Sequence, residues 1–158
     1  MGYTILRLHS LEVLEQVYCI HIQGGGHIVN SVVVDVLEQR FPNHFSIESE
    51  NGNSYIKFPA KSPEFGEMVV FECEEYSGEF IIYVGNFTHY HMDLFIDGNN
   101  EMELANRIAD LLEDVFNDQI ICHGAHKTGG GFDRIDYFIE REGIDYFTWS
   151  GKYIASRL

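Results

Sequence analysis

A chain of 158 residues, 45% hydrophobic and 14% aromatic, with its apolar side chains spread along its length, can bury one sizeable core, and a single globular domain over residues 1–158 is expected. Ten Lys and Arg against 25 Asp and Glu leave a formal charge of −15, with the cations scattered; this field repels phosphate backbones and anionic lipid, so neither nucleic acid nor membrane is an expected partner. Cys19, Cys73 and Cys122 make no C-x-x-C pair, the N-terminus has no cationic leader with an apolar run, and Leu6 stands where a myristoylation motif wants Ser or Thr; a reduced, cytoplasmic protein without disulfides or a thiolate zinc site is expected.

Residues 10–22 fit either a helix, with Leu11, Leu14, Val17 and Tyr18 along one face, or a strand over 17–22. Gly24-Gly25-Gly26 breaks the chain, and Val29, Val33, Val36, Leu37 and Phe41 then share one side of a helix that Pro42 stops. From 45 to 96 the pattern is β. Residues 45–47 and 55–58 flank Asn51-Gly52, a hairpin signal, and 68–74, 80–87 and 88–96 read as further strands, the first two joined at Ser77-Gly78. Such short connections imply an antiparallel meander.

Asn100 caps the next helix and Glu103 completes a capping box. Leu104, Ile108, Leu111, Leu112 and Val115 form its apolar stripe, while Glu103, Asp110, Glu113 and Asp114 face solvent. Residues 119–122 read as one more short strand and 127–131 as a flexible glycine-rich loop. Phe132, Tyr137, Phe138, Tyr146, Phe147, Trp149 and Tyr153 crowd the end of the chain, where Glu142-Gly143 suits a final hairpin. Their main expected role is to complete the core, and a contact surface is the other use of such residues. The fold class that follows is α+β: a mostly antiparallel sheet, five or more strands in a meander, with two main helices packed on one face.

The segment with most chemical content is Thr88-His89-Tyr90-His91-Met92-Asp93. Alternate residues of a strand share a face, which groups His89, His91 and Asp93 and turns Tyr90, Met92, Leu94 and Ile96 to the core. Two imidazoles and a carboxylate suit zinc or iron, with His123 and His126 as donors of the remaining positions. The same residues equally suit the polar open face of an antiparallel sheet with no ion at all. His89-Tyr90-His91 resembles the H-x-H of the cupin family over those residues alone. Three residues, not five, separate Gly85 from His89 and no glutamate follows where that family's next ligand lies, so the resemblance implies no cupin site.

The remaining motifs name no reaction. Gly24-Gly25-Gly26 and Gly129-Gly130-Gly131 match neither a P-loop nor a dinucleotide fingerprint and are expected to be flexible connectors. Cys122 beside His123 lacks a third, orienting group and is expected to be a small core residue; Glu72, Glu74 and Glu75 are expected to be solvated. Two functions remain. The first is a non-enzymatic protein-binding module without a cofactor, docking a protein partner, a basic one by charge, through its open sheet face or its aromatic C-terminal segment. In size and charge the chain is similar to the small cytoplasmic immunity proteins that neutralise bacterial toxins, which implies an inhibitor or immunity-type role. The alternative is a metal-dependent hydrolase in which His89, His91 and Asp93 bind the ion and His123 or His126 completes the site or acts as general base.

Overall fold

A computed structural model of the protein describes residues 30–73, 78–94 and 100–154. Cys19, the Gly24-Gly25-Gly26 run, Val29 and the segment 10–22, read as helix or strand, lie outside the described residues. The first described helix, α1 (Ser31–Arg40), starts where the Asn30 side chain accepts the Val32 backbone N–H at 2.9 Å, and ends at Phe41, ahead of Pro42. Val33, Val36 and Leu37 are buried, as their helical spacing requires. The longer α2 (Glu101–Phe116) is capped by Asn100, which accepts the Glu103 N–H at 2.9 Å, and buries Leu104, Ile108, Leu112 and Val115 together with Ala105 and Ala109. No helix among the described residues is long and apolar enough to cross a membrane.

Five strands form the expected meander. β1 (Ser46–Glu50) and β2 (Asn53–Phe58) meet through Asn51-Gly52, whose φ angles of 51° and 88° are those of a type I′ hairpin turn. β3 (Met68–Glu72), β4 (Glu79–Val84) and β5 (Thr88–Asp93) follow in antiparallel order β1-β2-β3-β4-β5. β4 ends at Val84, short of the expected 87, because Gly85 turns the chain at φ 55°. The expected ends at 74 and 96, and Ser77, lie outside the described residues.

One face of this sheet carries Ile56, Phe58, Met68, Val70, Phe80, Ile82, Val84 and Met92, all buried in one core with the apolar stripes of both helices. The register also puts Glu72 on this side. Only 8% exposed, its carboxylate accepts the Asn30 N–H at 3.0 Å where α1 begins. Glu72 is therefore a buried helix-end acceptor, contrary to the solvated role expected of it; Glu74 and Glu75 lie outside the described residues.

A second antiparallel sheet, absent from the sequence reading except for one strand and a hairpin, comprises β6 (Ile120–His123), β7 (Gly131–Arg134), β8 (Tyr146–Thr148) and β9 (Gly151–Lys152), in the order β7-β6-β8-β9. Ile120, Cys122 and Trp149 join the same core as the meander. A turn does occupy Glu142-Gly143, but the final hairpin pivots instead on Trp149-Ser150. Asp118 fixes that pivot by accepting the Ser150 N–H at 2.9 Å and its hydroxyl at 2.6 Å.

The Gly129-Gly130-Gly131 run is not the flexible connector its composition suggests. Gly129 has φ 86°, and a Cβ on Gly130 would lie 2.0 Å from the Phe87 carbonyl oxygen. The His126 N–H donates to the Asn86 carbonyl at 3.1 Å, so this loop is seated on the β4–β5 turn. Backbone, unlike a long side chain, cannot swing aside. Gly130→Ala is accordingly expected to lower stability by about 1–3 kcal/mol, the usual cost of overpacking. Urea unfolding checks this: a midpoint equal to wild type would show that the close approach is not a constraint.

Candidate functional site

The two-residue period of a strand holds along β5. Cross-strand pairs Tyr83↔His89, Ile81↔His91 and Glu79↔Asp93 set these six residues on the outer face of the meander, away from the helices. Of the opposite set, Met92 is buried and Leu94 half-buried, while Ile96 lies outside the described residues. Tyr90 departs from its expected core role. It is 39% exposed because β5 is the edge of the sheet, and its ring meets Phe132 of β7 at 5.9 Å instead of a helix.

The docked glycine loop brings a third imidazole to the two on β5. His89 lies 4.9 Å from His91 between ring centroids and stacks on His126 at 5.0 Å, with Nδ1 of His89 and Nε2 of His126 3.0 Å apart. One of these nitrogens donates and the other accepts, so the contact holds one proton and not two. His91 Nδ1 lies 2.6 Å from the Glu79 carboxylate. Tyr83 stacks beneath His126, its hydroxyl buried and without a hydrogen-bond partner among the described residues; burial pushes its pKa up to about 12, which keeps it a neutral donor.

His123 does not join this group. Its ring meets Tyr146 of β8 at 5.9 Å, edge to face. Asp93 sits opposite Glu79 at the end of the pairing. The five residues named for a metal thus divide: the structure gathers His89, His91 and His126, and His123 turns to the second sheet. Among the described residues no group of three or more His, Cys, Asp or Glu side chains is arranged to hold a metal ion. Cys122 is buried, as its core role requires, and burial pushes its thiol up to about 12, far from a reactive thiolate.

A second feature was only half legible. Of the C-terminal aromatics, Tyr146 and Trp149 are buried, but Tyr137 and its neighbour Ile139 are each 80% exposed. Between them Phe138 packs edge-on against Tyr146 at 4.7 Å and Tyr153 at 5.6 Å, and the Tyr146 hydroxyl accepts the Arg141 N–H at 3.0 Å. Phe138 pins the segment, and its neighbours are turned outward. In the sequence around them Asp133, Asp136, Glu140, Glu142 and Asp145 are all exposed, as are Arg134 and Arg141, and Asp145 is paired with Lys152 at 2.6 Å. The available signal was Tyr137-Phe138-Ile139 itself, since three consecutive large apolar residues on a short surface segment cannot all reach one core.

The chain matches no protein-family model, no curated protein and no solved structure. Its chemistry rests on the residues alone.

Burial first, then the charges of His126 and His91, hold the His89 pKa below its ordinary 6.5. The unfolded chain therefore binds this proton first as pH falls. The contribution is complete above about pH 6.5 and is lost as pH drops from there through the lower folded-state value. His89→Gln is expected to flatten the fall of the urea midpoint between pH 7 and pH 5; an unchanged slope would remove His89 as its source.

Proposed function

We propose that the protein is a non-enzymatic protein-binding module that docks a basic protein through residues 135–145. One observation carries this reading: Tyr137 and Ile139, each 80% exposed, flank Phe138, whose ring packs against Tyr146, in a segment whose exposed acids outnumber its one arginine. Tyrosine is prominent among the residues that dominate binding energy at protein interfaces, and Tyr137, Ile139 and Ile144 are exposed within eight residues of one another. A fixed backbone loses little conformational freedom on association, which favours affinity. The net charge of −15 speeds encounter with a cationic surface. An inhibitor or immunity-type role in the cytoplasm is consistent with this size and acidity.

Replacing Ile139 by a photo-crosslinking residue in native extract should label a basic protein. Tyr137→Ala should then weaken binding of that partner about thirty-fold, the loss of one interface anchor of about 2 kcal/mol, and raised salt should weaken it further. Affinity indifferent to Tyr137→Ala, or identical at low and high salt, would remove this reading.

A further inference from the structure

A cleft of about 550 Å³ opens where the C-terminal ends of α1 and α2 approach the end of β2 and the β8–β9 turn, and none of its lining residues belongs to the group His89, His91 and His126 or to segment 135–145. Its size is that of a small-molecule site. The walls are aromatic: Phe116 lies 5.3 Å from Phe41, 5.1 Å from Phe58 and 4.9 Å from Trp149 between ring centroids. Phe58 and Trp149 are buried and form the floor, while Phe41 and Phe116 are half-buried at the sides.

The polar lining is richer in cations than the rest of the molecule. Among the described residues Arg40, His44 and Lys61 line the cleft with one carboxylate, Glu113, while Asp110 and Asp118 stand behind it. The Glu113 carboxylate is bonded to the Arg40 guanidinium, which also holds Asp110 at 2.5 Å. The helix end is closed too: the Asn117 N–H covers the Glu113 carbonyl and the Gln119 N–H that of Asp114, which weakens the pull of α2 on a cation.

Lys61 is the cation placed to act. Its Nζ donates to Ser150 Oγ at 2.8 Å, and that hydroxyl donates in turn to Asp118, so its lone pairs face the ammonium. Among the described residues, one of its three ammonium protons has a protein acceptor. At His44, Nδ1 lies 2.8 Å from the Pro42 carbonyl, which can only accept, so Nδ1 carries the proton and Nε2 is left.

We propose that this cleft binds a small aromatic carboxylate, with its ring against Phe41, Phe116 and Trp149 and its carboxylate on Lys61. Trp149 is the sole tryptophan of the chain and reports on its own site. Titration of the full chain with 3-phenylpropionate is expected to change Trp149 emission saturably. Affinity should fall at least ten-fold both in Lys61→Gln, an exposed position where the fold is not at risk, and for the neutral 3-phenylpropionamide. No saturable change with 3-phenylpropionate would overturn the proposal. So would equal affinity in Lys61→Gln, or tighter binding of 3-phenylpropylamine, which would make the cleft a cation site.

Discussion

The molecule depends on the burial of α2 against the inner face of the meander. Leu104, Ile108, Leu112 and Val115 are removed from water together with Ile56, Val70 and Ile82, and each such side chain contributes about 1.5–3 kcal/mol when fully buried. Once one face of the sheet is committed to that contact, the two-residue period leaves no choice for the other. Ile81, Tyr83, His89 and His91 must point outward. The same stripe rotates the acids of α2 to the surface, where Arg40 meets Asp110 and Arg134 meets Asp114, each at 2.5 Å. Exposed pairs of this kind add at most about 1 kcal/mol each. Their effect is to orient, since one arginine comes from α1 and the other from the second sheet.

The second sheet is held by backbone fit and by rings. Gly130 lies against Phe87, and Phe87 in turn stacks on Phe147 at 5.2 Å and meets Phe65 at 5.5 Å, with Trp149 5.3 Å from Phe65. A continuous set of aromatic contacts thus crosses from the meander to β8 and its turn. This docking, and not the sequence near the histidines, sets His126 on His89. Three imidazoles on two separate elements form a group only because a glycine permits the close approach.

Local patterns were readable where the physics is local. Asn51-Gly52 announces its turn by tolerating positive φ, Asn100 announces a helix start, and the alternation at 88–93 separates the imidazoles from Met92. What could not be read depends on distant contacts. Nothing near Glu72 says that it faces the start of α1, because that is fixed by the β2–β3–β4 register. Tyr90 alternates like a core residue, yet β5 is an edge strand. His123 and His126 are equivalent on paper, and the choice between them is made by Gly130 against Phe87. The glycine run itself misleads, since composition cannot distinguish a glycine needed for freedom from one needed for lack of volume.

The aromatic C-terminus shows how one stretch can serve both core and surface. Residues 135–145 have little structure of their own, a 3₁₀ turn at Ile135–Tyr137 and a turn at Glu142-Gly143, so burial must fix them. Phe138 and Tyr146 do this with one ring contact and one hydrogen bond to the Arg141 backbone. With the middle residue of Tyr137-Phe138-Ile139 packed on Tyr146, Tyr137 closes the 3₁₀ turn with its side chain exposed and Ile139 follows Phe138 equally exposed. Their exposure is therefore a consequence of how the segment is anchored. It costs hydrophobic free energy that folding does not recover, whereas association with another surface would. Exposed acids near in sequence offset the two apolar side chains at the surface.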